Sequence, residues 1–312
     1  MRFILMVLCG PRPCDLEGLT DLCEGAVTYS EGAELEIWCI NDGHNAAVLA
    51  EAVRSHGLPV RIIPNPYAGR GNHWLGRLTA GLLHGMRLAA AERPGWPILR
   101  LDTDALIVAP WERKLFADAQ DQKTGMIGSN NLGSEGRINR GDWWQTRLYR
   151  HSKWISRSDE GRGIRIPWRR SSRILTRTIR SAFDQGARNI TNISGGAYLL
   201  PAHSLQRLCE APLFRPEVGF EINAFTEDVV VGLCVHAVGL KFCLHNSPGD
   251  AIASCWQGLA APTLPELVAR GCGVVHSVKN HPPFLEAETR AFFRARRLAA
   301  ATARTPLQHT PP

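Results

Sequence analysis

Residues 98–108 read ILRLDTDALIV, a strand-like apolar run, then Asp-Thr-Asp, then apolar residues again. A buried, unpaired carboxylate is costly, so Asp102 and Asp104 need a reason to be there. With one residue between them, extended geometry predicts both carboxylates on one side of the chain. A polar turn closing a buried strand accounts for the pair. So does a hard cation such as Mn²⁺ or Mg²⁺, which takes one or two carboxylates and completes its shell with water and phosphate. The choice between them depends on what the rest of the chain brings alongside.

Upstream, the chain alternates strand and helix patterns. RFILMVLC, LEIWCI, VRII and PILRL read as strands, with helix candidates at Ala46–His56 and at Trp74–Ala91. In the second of these, Leu75, Leu78, Leu82, Met86 and Ala90 recur at helical spacing. Such alternation predicts a parallel sheet covered by helices, with ligands beyond the carboxyl ends of its strands. Three loops follow those ends: CGPRP (9–13), NDGHN (41–45) and DTD (102–104). The sheet predicts that they converge on one crevice.

The second half departs from this rhythm. After strand-like GMIGS, residues 132–185 are rich in Gly, Arg and Trp, and between Arg147 and Arg180 basic residues far outnumber Asp159 and Glu160. Alternation then resumes with SGGAYLLP, a helix from Ala202, a helix over Thr226–Val238, the strand GLKFCL and finally GVVHSVKNH; an Ala- and Arg-rich helix follows. The organisation expected is one domain over 1–304, with a first half (1–128), a basic insertion (132–185) and a second half (186–304), and a disordered tail at 305–312.

Composition narrows the classes. At 312 residues, 44% hydrophobic and 21% charged, the chain can bury a sizeable core. No stretch has the apolar length of a membrane span, and MRFILMVLCG reads as a first buried strand rather than a leader, so a soluble or membrane-peripheral protein is expected. Nine scattered cysteines with no CxxC pair predict a reducing, cytoplasmic setting. The net charge of +7 points to an anionic partner without naming it.

Three further segments carry chemistry. In GVVHSVKNH (273–281), His276 ends a short apolar run and Lys279 follows. An imidazole can complete a Mn²⁺ site and an ammonium can meet phosphate, although a hydrogen-bonded strand-end His with a solvated Lys explains the same residues. In FTEDVVVG, Thr226 is placed to cap a helix whose first turn holds Glu227 and Asp228. Acidic residues suit that position by helix electrostatics alone, but one facing a crevice can also accept a proton from an attacking hydroxyl. In ISGGAY, Gly195 and Gly196 allow close approach of a ligand or another backbone.

In this order and at these separations, the segments resemble a GT-A fold nucleotide-sugar glycosyltransferase. The strand-end D-x-D resembles that fold's metal motif. INDGHN resembles the nucleoside loop of family 2 enzymes. SGGAYLLP followed by TEDVVVG resembles segments of the fringe-like β-1,3-glycosyltransferases, and HSVK resembles the C-terminal His that completes the metal site. The resemblance implies an α/β, Rossmann-like three-layer fold with a mostly parallel central sheet and a basic insertion. It implies Mn²⁺ (or Mg²⁺) held by Asp102, Asp104 and His276, with Asp104 the more direct ligand. Cys9, Gly10, Pro11, Asp42, Asp102, Thr103 and Lys279 would line the nucleotide-sugar site. Gly195, Gly196, Trp143 and Trp144 would line the donor and acceptor pocket. Asp228 would be the base of an inverting transfer, with Glu227 beside it. The donor implied is a UDP-linked sugar, and the acceptor a glycan or lipid-linked hydroxyl of the kind used in polysaccharide synthesis.

Two rivals remain on the sequence. A sugar nucleotidyltransferase shares such a sheet, but the loop after the first strand, CGPRPC, lacks the Gly-rich run expected of one. A non-catalytic binder of anionic polymer or membrane would use the basic insertion, where Leu175, Ile179 and Phe183 recur every four residues between arginines. An ordinary helix packed on the domain gives the same pattern. If the stripe is functional, 147–180 would hold an anionic or lipid-linked acceptor at the inner membrane face, with no specific nucleic acid expected.

Overall fold

The computed structural model describes residues 1–68, 74–130, 170–187, 193–216, 226–255 and 257–304. The four apolar runs of the first half form β1 (Arg2–Cys9), β2 (Glu34–Asn41), β3 (Val60–Pro64) and β4 (Ile98–Asp102). β1 lies between β2 and β4 and is parallel to both, so that Leu5 stands opposite Ile37 on one side and Leu99 on the other. Both faces of these strands are covered. Ile4 and Met6 enter one core while Phe3, Leu5 and Val7 enter the other. That is why the strands read as unbroken apolar runs rather than alternating ones.

β6 (Thr124–Gly128), β7 (Ala197–Leu200) and β8 (Lys241–Leu244) extend the sheet to seven strands in the order β3-β2-β1-β4-β7-β6-β8. Only β7 runs against its neighbours, pairing antiparallel with β4 and β6. A smaller sheet joins β5 (Leu106–Ile107), β10 (Val274–His276) and β9 (Ile252–Ser254), in that order. The structure is therefore a helix-flanked, mostly parallel α/β sheet, as the alternation predicts.

On one face lie α3 (Trp74–Glu92), α5 (Arg170–Asp184), α6 (Ala202–Glu210) and α7 (Glu227–Ala237), contributing Leu82, Met86, Ile179, Leu205 and Val230 to a shared core. The other face is covered by α1 (Pro13–Tyr29), α4 (Glu112–Asp118) and the small sheet, through Leu19, Leu22, Leu115, Ile252 and Val274. Completing the described helices are α2 (Ala46–Arg54), α8 (Leu264–Ala269) and α9 (Glu286–Arg304).

Helix α1 carries no motif of its own, yet it braces the turn after β4. The loop CGPRP runs straight into it, with Pro13 at its first position, where a missing N–H costs nothing. Asp15 closes a capping box by accepting the backbone N–H of Arg12. Its Gly18 lies so close to the Asp-Thr-Asp turn that a Cβ there would sit 2.0 Å from the Thr103 carbonyl oxygen. Helix α9 docks on α1 through a buried charge cluster, in which Arg290, Arg294 and Arg297 all bond Asp21.

Helix α5 accounts for the described part of the basic stripe. Ile179 and Ala182 are fully buried in the core, with Phe183 partly buried beside them, while Arg177 is exposed. From Ile179 onward the stripe packs on the domain, while most of 147–180, and the membrane contact expected of it, lies outside the described residues. The rest of the insertion, Trp143 and Trp144 with it, lies outside the described residues, as does the tail at 305–312. Among the described residues, no helix is long and apolar enough to cross a membrane.

Candidate active site

The strand order reverses at β1, whose carboxyl end meets that of β4; such a switch point opens a crevice. Backbone bonds tie the loops there side by side. Asp42 donates its N–H to the Cys9 carbonyl at 2.9 Å, and Asn65 to the Asn41 carbonyl at 2.8 Å. Asp102 donates to the Gly196 carbonyl at 2.9 Å. The three strand-end loops converge.

The Asp-Thr-Asp segment is not one extended face, as spacing alone predicts. Asp102 is the last residue of β4, and Ala105 N–H bonding the Asp102 carbonyl at 3.0 Å turns the chain at once. The turn is clamped from three sides. Thr103 donates its hydroxyl to Asp15 at 3.0 Å, Arg290 donates to the Thr103 carbonyl at 3.1 Å, and Val278 N–H donates to the Asp104 carbonyl at 3.0 Å. The turn, not the strand pleat, brings the two carboxylates together.

They meet His276. Its Nε2 lies 3.3 Å from Asp104 Oδ2 and 3.7 Å from Asp102 Oδ2. These three residues place one ligand atom each within 4.8 Å of one another. Ligands bound at right angles around a small divalent ion stand about 3 Å apart, given bonds of about 2.1 Å. Two carboxylate oxygens and one imidazole nitrogen at this spacing could hold a divalent cation.

Of the two carboxylates Asp104 is the buried one, and Ser277 donates a hydroxyl to the same Oδ2 that Lys279 Nζ approaches at 3.1 Å. Burial opposes ionisation, but the neighbouring His276 and Lys279, with the Ser277 bond, hold its carboxyl well below the usual range. It is an anion at neutral pH. Asp102 is the more open, with 29% of its side chain exposed and Oδ1 paired to Arg100 at 2.8 Å.

Arg100 is the residue the sequence conceals. It sits inside the apolar run ILRLD, on the strand face that α7 covers. Its one Nη2 reaches Asp102 at 2.8 Å and Glu227 Oε1 at 2.9 Å, while Nη1 donates to the Gly195 carbonyl. Burial, then Asp228 and Asp102, push the Glu227 carboxyl up to about 8 against the pull of Arg100. Asp228 follows it at the start of α7 and accepts from the Thr226 hydroxyl and from Val229 N–H. Thr226 occupies the N-cap position but serves Asp228 rather than the helix backbone. Only tertiary placement could reveal Arg100, because an Arg in a strand is ordinarily an edge or surface residue.

Gly195 and Gly196 join the two halves. A Cβ on Gly196 would lie 1.9–2.1 Å from three atoms of the His276 ring, and one on Gly195 would lie 3.1 Å from Asp228 and Glu227. The glycines therefore admit the protein's own site residues. Gly196→Ala is expected to weaken Mn²⁺ binding by at least about 100-fold by displacing a ligand, with an overpacking cost of about 1–3 kcal/mol. Calorimetric titration with Mn²⁺ checks this; wild-type affinity in the variant would contradict it.

Other expected nucleotide contacts are less exposed than the spacing implies. Cys9 is fully buried, its thiol pushed up by a hydrogen bond to Cys39 and by burial. Thr103 turns its hydroxyl to Asp15, so neither of these side chains is offered at the crevice. Asp42 is buried, with Asn65 on one oxygen at 2.8 Å and Arg77 on the other at 3.1 Å, bracing its loop. Gly10 and Pro11 remain at the surface. Beside them Arg12, absent from the motif reading, pairs with Asp15 at 3.0 Å and is two-thirds exposed. With Lys279 it brings positive charge to the margin of the carboxylates.

No protein-family model matches the sequence, and no curated protein matches it. Solved structures do. The bifunctional glycosyltransferase WbbM superposes with a TM-score of 0.53 over 96% of this chain and 51% of its own, at 9% identity. The chain has a GT-A-type glycosyltransferase fold. It is also similar to the galactosyltransferase LgtC, solved with donor and acceptor sugar analogues, at 12% identity and a TM-score of 0.47, covering 95% of this chain and 96% of that one. Mouse xyloside xylosyltransferase 1 matches at 12% identity and 0.42, over 78% and 85% of the two chains. On the GT-A fold of this chain, the Asp102–Asp104–His276 corner lies at the switch point of the sheet, and the α7 carboxylates face it across the glycine pair.

Proposed function

We propose that this chain, read as a single domain over 1–304, transfers a sugar from a nucleoside-diphosphate sugar, of the UDP-linked class, to a hydroxyl on a glycan or lipid-linked acceptor. One observation carries the reading: Asp104, Asp102 and His276 come from segments 172 positions apart at their nearest (104 to 276), yet His276 Nε2 stands 3.3 and 3.7 Å from the two carboxylates at the crevice. A polar turn needs no such partner.

Asp102, Asp104 and His276 would hold Mn²⁺ or Mg²⁺. Such an ion supplies Lewis-acid stabilisation of negative charge on a departing diphosphate. The chain's own residues do the rest. Lys279, 58% exposed and drawn to Asp104, can turn its ammonium to phosphate when that carboxylate binds a cation. Arg12 stands ready on the other side of the loop. Asp228 would take the proton of the acceptor hydroxyl, consistent with an inverting displacement. Arg100 holds Asp102, Glu227 and the Gly195 carbonyl in register, so that the metal corner and the base keep a fixed separation.

Thermal-shift measurements with UDP and other nucleoside diphosphates, with and without Mn²⁺, test this. A ligand at about 100 times its Kd adds about 2.7 kcal/mol to the native state. For a domain of this size that raises Tm by about 4 °C. We expect the rise with nucleotide and Mn²⁺ together and little with either alone. No Mn²⁺-dependent rise with any nucleotide would overturn the reading.

A further inference from the structure

An imidazole that binds a cation through Nε2 must carry its proton on Nδ1, and it can keep that proton only beside an acceptor. In the small sheet, His276 on β10 stands directly opposite Ser254 on β9. Ser254 is fully buried, and its Oγ lies 3.0 Å from His276 Nδ1. The same hydroxyl donates onward to Ser194 Oγ, also at 3.0 Å. With Ser194 within reach to take the Ser254 hydroxyl proton, the Ser254 oxygen can accept the proton of Nδ1. Ser194 is itself buried and is tied by its backbone N–H to the Ser129 carbonyl at 2.8 Å, which fixes the far end of the chain.

We propose that Ser254, backed by Ser194, is the positioning residue of this site: it holds the Nδ1 proton of His276, fixes the ring and leaves Nε2 to bind a divalent cation beside Asp102 and Asp104. The inference rests on the metal-dependent reading above and adds residues that no sequence motif marks.

A second cluster in the same protein shows what the relay decides. Asp118, Cys243 and His245 also place one ligand atom each within 4.8 Å of one another. There His245 Nδ1 accepts Ile252 N–H at 3.3 Å, and Nε2 lies 2.9 Å from Asp118 Oδ2. A backbone N–H at Nδ1 places the ring's proton on Nε2, where it donates to Asp118. The nitrogen that would face a cation is occupied. His245 is thus fixed as a hydrogen-bonded tie between β8 and α4, whereas the hydroxyl at His276 Nδ1 can accept a proton and so permits the tautomer that a ligand needs.

The test uses the full chain in wild-type, Ser254→Ala and Ser254→Thr forms. Mn²⁺ affinity is read by calorimetric titration, and the His276 Nδ1 proton by ¹⁵N–¹H NMR on metal-free protein. We expect the Nδ1 proton to be observed in wild type and Ser254→Thr. Ser254→Ala is expected to lose it, and to bind Mn²⁺ about 10–100-fold more weakly. Equal Mn²⁺ affinity in Ser254→Ala and wild type, or a wild-type His276 lacking the Nδ1 proton, would overturn the inference while leaving the metal reading intact. If wild type keeps that proton yet binds no Mn²⁺, the metal reading fails and the inference falls with it. Circular dichroism melting of each variant identifies a folding defect. In that case Ser194→Ala, which breaks the same relay one bond farther out, decides the matter by the same two readouts.

Discussion

Replacing Asp104 by Asn is expected to reduce sugar transfer by about 1,000-fold or more and to remove its dependence on Mn²⁺. Asn keeps the volume of the side chain and can still accept the Ser277 hydroxyl, so the turn should survive. What disappears is a full negative charge on the oxygen that His276 and Lys279 both face, 3.3 and 3.1 Å away. Lewis-acid stabilisation is worth several kcal/mol, and each 1.36 kcal/mol is about tenfold in rate, so losing about 4 kcal/mol gives the stated drop. Asp102→Asn should cost less at the metal, because that residue is the more open one and shares its charge with Arg100. Initial rates at saturating Mn²⁺, with Tm as a control, make the comparison. An Asp104→Asn enzyme within tenfold of wild type and still Mn²⁺-dependent would move the metal elsewhere.

The second large effect belongs to α7. Asp228→Asn is expected to lower kcat by about 10²- to 10⁴-fold, the range for loss of a general base, with little change in KM for the donor. Glu227→Gln is expected to stay within about tenfold. Burial with two neighbouring carboxylates pushes Glu227 up to about 8, so it is largely protonated at neutral pH and a glutamine imitates that form. A carboxyl with a raised folded value binds its proton more tightly when folded, so this site favours folding most at acidic pH. That advantage declines as pH rises toward 8. Loss of activity in Glu227→Gln with retention in Asp228→Asn would exchange their roles. Near-normal rates in both would remove a side-chain base from α7 and favour a retaining mechanism.

Much of the fold was legible because it is dictated locally. Strands covered on both faces must be apolar along their whole length, so RFILMVLC and LEIWCI stand out. Leu82 and Met86 mark the buried side of α3 at helical spacing. The D-x-D, the strand-end His and the acidic start of α7 could be placed because each closes a recognisable element. α1 escaped the motif reading because its Pro and Cys opening resembles more of the preceding loop. Thr103 faces Asp15, and Asp42 faces Asn65 and Arg77, which a lone polar residue at a strand end does not announce.

Arg100 and Ser254 mark the boundary most clearly. In ILRLD and IASC they read as ordinary members of short strands, and nothing within several residues of either announces a role. Arg100 acquires one only where the start of α7 comes down on β4, and Ser254 only where β9 pairs with β10 in register with His276. ILRLDTDALIV by itself determined a buried strand that ends in two carboxylates. Tertiary structure alone decided that the turn carrying them meets His276, because backbone periodicity specifies which way a side chain faces along its own element, whereas the partners that balance a buried charge arrive through crossover connections from distant parts of the chain.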